Sequence, residues 1–410
     1  MKAHALHRAM TFIWQFNLFF FCVGLFSSKS GLTIFGGLLL IHSLFRVNWI
    51  YFRRESILLG AIGLYLIAAV FGLFSLSGAS GALKLLYSWL WPLLVIPAYV
   101  VYQSRKDWPV LAAGLFIGLV GSTSVAIYNF YEKFGGVFTS KIRVTAFWDM
   151  GRWGIFLAVS CIVLVCLQHS KNLTLSRWRK VFGALFGIAG VALILSNSRG
   201  PWLALILAFI IFCLLPPRRL KYLVVLGAVL SGLLVISGEF RQRFLSVMDV
   251  HWDEGGKITS VDNSNAGRLH MWKVALDFFE EQPWFGTGYR ATEAPFRTFL
   301  ERQPLEYRDR YVYGEFSFTD QHSSYLTILV EMGIIYFIIF WGYFVWVLKE
   351  AFFQAYCESK EAAKVALLVL IVHLVIFVFY RSVQSYEMAS LFPFLVLLSK
   401  KQPEHSDLFS

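Results

Sequence analysis

The chain has little charge. Only 15% of its 410 residues are Asp, Glu, Lys or Arg, while 57% are hydrophobic. A soluble domain carries about 25% charged residues. The deficit runs along the whole chain, which excludes an ordinary water-soluble enzyme and indicates a polytopic membrane protein. Cysteine is scarce too. Cys22, Cys161, Cys166 and Cys213 lie in apolar runs and Cys357 in a basic connector. None lies in the long polar segment, so no disulfide framework is present. No CxxC or HExxH pattern occurs, so nothing in the sequence points to a metal site. Internal repeats and low-complexity stretches are also missing. That counts against a transporter built from two similar halves.

The charge that is present is basic, with a formal net charge of +12. The Lys and Arg residues are scattered between apolar runs and do not form one stripe, which argues against nucleic acid as a partner. In a membrane protein they accumulate in cytoplasmic connectors. A span needs about 20 apolar residues. About twelve fit, near 12–27, 31–46, 57–76, 82–102, 109–129, 152–168, 181–196, 201–216, 221–237, 323–347, 363–380 and 386–399. The N-terminal apolar run resembles a signal peptide but shows no small-residue cleavage site, and it reads as a retained first span. With the N-terminus in the cytoplasm, the inside connectors hold Arg46, Arg53 and Arg54; Arg105 and Lys106; Lys171, Arg177, Arg179 and Lys180; Arg218, Arg219 and Lys221; and Lys349, Lys360 and Lys364. The outside connectors are poorer in basic residues.

The expected architecture is therefore all-α. Spans one to nine occupy 1–237, a large loop 238–322, the last three spans 323–399, and a cytoplasmic tail 400–410. This parity puts three polar pieces on the extracytoplasmic side: the loop 130–151, the turn SNSRGPW (Ser196 to Trp202) and the loop 238–322. Nucleotide sugars and ATP of the cytosol are absent there. A reaction on that side needs a donor already carried across, such as a lipid-linked one. Within the long loop, Asn263, Ser264 and Asn265 offer N-caps. Leu269, Trp272, Leu276 and Phe279 recur at helical spacing, and Pro283 stops that helix. Gly286 and Gly288 mark a turn. A second helix is expected from Ala291 to Gln303, with Phe296 and Leu300 on one face. Both are too short to span and are expected on the membrane surface.

Three residues stand out as sites. Arg199 lies between two apolar runs, beside Gly200 and Pro201, at the start of a helix whose positive end favours an anion. A snorkelling Arg that anchors a helix end is the plainer reading. Arg268 opens the loop helix, where a cation opposes the dipole unless an anion lies near; a solvated charge is its plainer reading. His322 sits where the loop re-enters the membrane, next to Asp320 and Gln321. An imidazole is suited to take a proton near neutral pH. His270 is a rival base and His251 a weaker one. Glu331, inside the next span, must face the protein interior, as a partner for a basic residue or as part of the site.

The order SRGPW, then NAGRLHMWKVALDFFEEQPWFGTGY, then QHSSYLTILVEMG resembles the O-antigen ligase and polymerase superfamily. One departure is His322 followed by Ser323, where many relatives carry Asn. RVTAFWDMGRWGIFLA, from Arg143 to Ala158, loosely resembles the Arg-led motif before the sixth span, so Arg143 and Arg152 join the candidates. The resemblance implies a membrane-embedded, metal-independent, inverting glycosyltransferase of the bacterial inner membrane with its active site on the periplasmic side and no cofactor. Its donor would be a polysaccharide on undecaprenyl pyrophosphate. The acceptor would be a sugar hydroxyl of lipid A-core for a ligase, or a second lipid-linked repeat unit for a polymerase. The ligase is favoured over the polymerase and over a lipid or oligosaccharide transporter. By the same resemblance, Arg199 and Arg268 bind pyrophosphate and His322 acts on the acceptor. The implied partners are the lipid-linked donor, lipid A-core and membrane lipids.

Overall fold

The computed structural model describes residues 2–137, 143–170, 177–217, 219–236, 241, 251–252, 258–259, 263–311, 321–381 and 385–399. Asp320, much of the loop 238–262 and the tail 400–410 lie outside the described residues. Inside a bilayer an unpaired backbone N–H or C=O has no water to bond, so apolar runs fold as helices. They appear in order as α1 (Lys2–Ser27), α2 (Lys29–Arg46), the short α3 (Trp49–Phe52), α4 (Ser56–Phe74), α5 (Gly78–Ser88), α6 (Val95–Gln103), α7 (Trp108–Phe134), α8 (Met150–Gln168), α9 (Arg179–Ser196), α10 (Arg199–Leu214) and α11 (Leu220–Ile236). The loop segment contributes α12 (Asn263–Phe279), α13 (Glu293–Arg302) and α14 (Leu305–Tyr311). The chain closes with α15 (Ser324–Tyr356), α16 (Glu361–Phe379) and two 3-10 segments, Tyr386–Ser390 and Phe392–Leu398. A two-residue antiparallel ladder, His251–Trp252 with Ile258–Thr259, is the one strand pairing among the described residues.

Eight helices among the described residues are long and apolar enough to cross a membrane. Of the remaining expected spans, α2 has 18 residues but is not among the eight, and α10, α11 and the final 3-10 run are shorter. The protein is thus an all-α polytopic membrane protein. The run expected at 82–102 is broken at Trp91–Leu94, a 3-10 turn with Pro92 near its start. Proline there removes an N–H and disfavours a helical conformation in the residue before it. The last run is 3-10 and not α-helical. Its rise of about 2.0 Å per residue carries a short segment further than an α-helix would.

α16 forms the centre. It is buried on every face, down to Lys364 and His373, and packs against α8, α10, α15 and the final 3-10 segment. An all-round apolar helix is expected in that position. The loop helices build a smaller second core from Val274, Ala275, Phe278, Phe296, Phe299 and Leu300, joined by Val330 of α15. Tyr307 of α14 donates its hydroxyl to Asp277 at 2.6 Å. Burial, and then the Asp277 carboxylate, push that phenol well above its ordinary pKa. Two details of the loop differ from expectation. Asn263 opens α12, so Ser264 and Asn265 fall within its first turn. α14 was not anticipated; at seven residues it is too short to show a periodic pattern.

Candidate functional site

The site begins with a loop that threads between two membrane helices. Pro283 to Arg290, PWFGTGYR, lies along a break in α15. The break is Gly333, at φ 73° and ψ 175°. A Cβ there would run into the carbonyl of Trp284, so only glycine fits. The freed backbone groups pair with the loop. Ile334 N–H donates to Pro283 O at 2.8 Å, Thr287 N–H to Val330 O at 3.1 Å, and Gly288 N–H to Glu331 O at 2.8 Å. On the opposite edge the α4–α5 connector joins in. Leu76 N–H donates to Gly286 O at 3.3 Å and Ser77 N–H to Thr287 O at 3.1 Å. Non-helical backbone at this depth is tolerated because protein groups satisfy it.

Glu331 locks this arrangement. It is fully buried. One carboxylate oxygen accepts the Arg290 backbone N–H at 2.7 Å, and the other is ion-paired with Arg381, just past α16. The partner expected for a carboxylate inside a span is therefore Arg381, 50 residues away in the chain. The loop, α15 and the end of α16 meet on this one side chain.

Tyr380, beside Arg381, gathers two of the three expected site residues. Its hydroxyl lies 2.8 Å from Ser198 Oγ, in the turn that carries Arg199. Its ring covers Gly200, where a Cβ would fall 2.6 Å from it. Its carbonyl accepts from Ser324 Oγ at 2.6 Å, two residues past His322. The Arg199 turn and the His322 turn are thus held against one residue. Asn197 and His322 both adopt left-handed backbone, with φ of 50° and 45°. Such a conformation is uncommon for a residue with a Cβ and carries some strain.

Arg268 is one step removed from this cluster. Its helix, α12, packs against α15, where Leu326 and Val330 meet the second core. Seven residues make about two helical turns, so Arg268 stands in line with Ala275, which is fully buried in the second core. It is half-buried, on the packed side of the helix. His270, two residues on, projects to a different side. It is fully buried, edge-on to Tyr311 at 5.5 Å between ring centroids. That contact makes it part of the loop core.

The two further arginines have different surroundings. Arg152 sits among carboxylates, at 2.6 Å from Asp149 and 3.1 Å from Glu387, with its guanidinium 5.8 Å from the Tyr386 ring centroid. Asp149 also caps α8 by accepting the Arg152 N–H. These contacts give Arg152 a structural part. Arg143 is exposed, and its neighbour Val144 donates to Leu195 O at 3.1 Å, beside the Ser196–Arg199 turn. Gln321 is buried and accepts from Thr327 at 3.2 Å. Three residues of the cluster went unread in the sequence: Arg290, Tyr380 and Arg381. The signal for the last two was a Tyr-Arg pair directly after an apolar run, where a charge at the membrane edge needs a partner. Among the described residues no group of three or more His, Cys, Asp and Glu could hold a metal ion.

The fold is that of a multi-pass α-helical membrane protein in which the Arg199 and His322 turns are brought together at Tyr380. Over residues 184–341, from within α9 to within α15, the chain matches the family described as O-antigen ligase. That stretch contains Arg199, Arg268 and His322 and bears out the superfamily resemblance read from the motifs. It supports a function of the O-antigen ligase or polymerase type, with lipid-linked polysaccharide as the implied substrate class. A search of curated proteins finds no match.

Proposed function

We propose that the protein is an O-antigen ligase. It transfers a polysaccharide from undecaprenyl pyrophosphate to a sugar hydroxyl of lipid A-core, on the periplasmic face of the inner membrane. One observation carries this reading: the turns bearing Arg199 and His322, both from the stretch that matches the ligase family, meet on Tyr380.

The chemistry follows from the residue types. The acceptor oxygen bonds to the anomeric carbon while the bond from that carbon to the phosphate oxygen breaks, with inversion. The hydroxyl proton passes to His322, and the lipid pyrophosphate leaves with an added negative charge. Arg199 and Arg268 take up that charge. A guanidinium is planar, always protonated, and binds phosphate oxygens through two parallel hydrogen bonds. The N-terminus of α10, which begins at Arg199, adds its own N–H groups. A donor placed for such charge contributes about 10² to 10³ in rate.

Gene deletion tests the reading. The expected result is lipid A-core without attached polymer while lipid-linked polymer still accumulates. Single repeats still attached, with long chains missing, would select the polymerase. Normal lipopolysaccharide would overturn both.

A further inference from the structure

A groove of about 240 Å³ runs along the face of α2. Thr33, Gly36, Gly37 and Leu40 form one wall, and Trp91 and Leu94 of the 3-10 turn face them. Arg290, Ser385 and Tyr386 also line it. Thr33 to Leu40 covers seven residues, so the wall is about 10 Å long and parallel to the helix axis. By the alternation of basic connectors, the start of α2 and Arg290 share the extracytoplasmic side. The groove therefore runs from that surface into the apolar layer, in the direction a lipid chain takes.

Its two glycines serve different purposes. A Cβ on Gly36 would come within 3.2 Å of the Phe21 ring, so packing of α1 on α2 explains that residue. A Cβ on Gly37 would meet nothing within 4 Å. Helix packing does not require glycine there; its missing side chain leaves the groove open. Glycine is costly inside a helix, by about 1 kcal/mol against Ala.

The polar end is firmly held. The Arg290 backbone N–H is bound to Glu331, its carbonyl accepts from Lys84 Nζ at 3.1 Å, and its guanidinium lies 5.4 Å from the Tyr289 ring centroid. Ser385 is within 3.5 Å of Arg152. A largely apolar slot with one cation, Arg290, in its lining suits a chain that carries an anionic head. The volume is below the ~300–1,000 Å³ of a pocket that encloses a whole small molecule. It has room for one chain segment, and a diacyl phospholipid would bring two chains per head. Arg290 is also tied through Glu331 and Arg381 to Tyr380, where the Arg199 and His322 turns meet.

Resting on the donor assignment above, we propose that this groove takes the first length of the donor's isoprenoid chain, with the lipid-proximal phosphate at Arg290. The test is chain-length dependence in the series Gly37→Ala, Gly37→Leu and Gly37→Phe, in purified full-length protein checked for monodispersity and melting temperature. The probes are undecaprenyl phosphate and geranyl phosphate. Binding is followed by the fluorescence of the tryptophans, which include Trp91 in the groove wall. Removing apolar burial from a long chain should raise Kd for undecaprenyl phosphate stepwise, by about ten-fold or more at Phe. Kd for geranyl phosphate should change little, and Arg290→Gln should weaken both probes. With a polymer-bearing donor, KM should rise more than kcat falls. An unchanged Kd for the long chain in Gly37→Phe would overturn the proposal, as would equal losses for both lengths. So would displacement of undecaprenyl phosphate by phosphatidylglycerol at equal concentration, which would mark the groove as a site for bulk lipid. Binding is measured without acceptor, so a protein that transfers nothing yet loses chain-length selectivity at Gly37 would refute the ligase reading and keep the groove.

Discussion

The two ends of the helical bundle are built differently. At one end side chains fasten neighbouring helices. Trp14 Nε1 donates to Asp107 at 2.8 Å, Arg46 lies 4.7 Å from the Trp14 ring centroid, and His169 lies 3.1 Å from Tyr222. These join α1 to α7, α2 to α1 and α8 to α11, each through a charge or ring beside its complement. At the other end the same helices are held by irregular backbone. Three of the four non-glycine residues with positive φ, Asn197, Arg290 and His322, lie there, as do Gly286, Gly288 and Gly333. Strain of this kind persists only where the surroundings fix it, and it concentrates at sites of function. On the function proposed above, the first end is the fastening and the second the worksite.

Sidedness is the all-or-none way to break that comparison. Connectors expected on one side do contact each other: 75–77 with 286–287, and 198 with 380. Reporter fusions after Arg54, Arg179 and Arg219 should read cytoplasm, and fusions at Lys141 and Gly255 should read periplasm. A cytoplasmic signal at Gly255 would move the worksite to the cytosol and remove the lipid-linked donor from the argument.

The next largest effect is expected at His322. Base catalysis contributes about 10² to 10⁴ in rate, so His322→Ala should lower transfer by that order while the donor still binds. Asn tolerates left-handed backbone better than other residues with a Cβ. His322→Asn therefore keeps the turn and removes only the base, and it should be as inactive as Ala. If Asn restored transfer, the turn and not the imidazole would matter. His270→Ala should instead cost stability, because that ring is packed in the loop core.

The arginines come next. Arg199→Ala and Arg268→Ala should each lower transfer by about 10² to 10³ and weaken donor binding as well. Lys should rescue poorly, since an ammonium cannot form the planar fork. Near wild-type transfer by Arg268→Lys would reduce that residue to a point charge.

Glu331 sharpens the comparison through stability. Removing one partner of a buried ion pair costs on the order of 3–5 kcal/mol. Glu331→Ala would strand Arg381 and release the Arg290 N–H together, so the melting temperature in detergent should fall clearly. Replacing both partners with apolar residues, Glu331→Leu with Arg381→Met, should recover much of the loss without restoring transfer. Full recovery of transfer by that pair would mean that the clamp only fastens the fold.

The apolar helices were legible because composition alone encodes them: an apolar run must form a helix in lipid; the parity read from the basic connectors is what the fusions test. Arg199, Arg268 and His322 were candidates because they stand in short motifs, and the mutants above test them. The way they are held was not. The dock of Pro283–Arg290 on α15 uses backbone hydrogen bonds, which leave no mark in side-chain pattern beyond the glycines. The Glu331 partner is far along the chain, and a lone Arg after an apolar run reads as a helix anchor. Tyr380 reads as an interfacial aromatic until its hydroxyl and carbonyl are seen bonding two different turns.

The smallest effect should be found at Arg46, at the fastening end. Its guanidinium covers Trp14, yet the side chain is exposed, and an exposed cation–π contact is worth about 0.5–1 kcal/mol. Trp14 keeps its hydrogen bond to Asp107 whether or not Arg46 is present. Arg46→Ala should therefore move the melting temperature slightly and leave transfer and donor binding at the wild-type level. Both mutants, Arg46→Ala and Arg199→Ala, lose one guanidinium from a helix end near a membrane surface. Comparing them in one assay removes the general effect of charge. Equal losses of transfer in the two would mean that any arginine at a helix end matters alike, and the contrast between the ends would fail. A loss confined to Arg199→Ala ties the chemistry to the end where the backbone is strained and the Tyr380 turns converge.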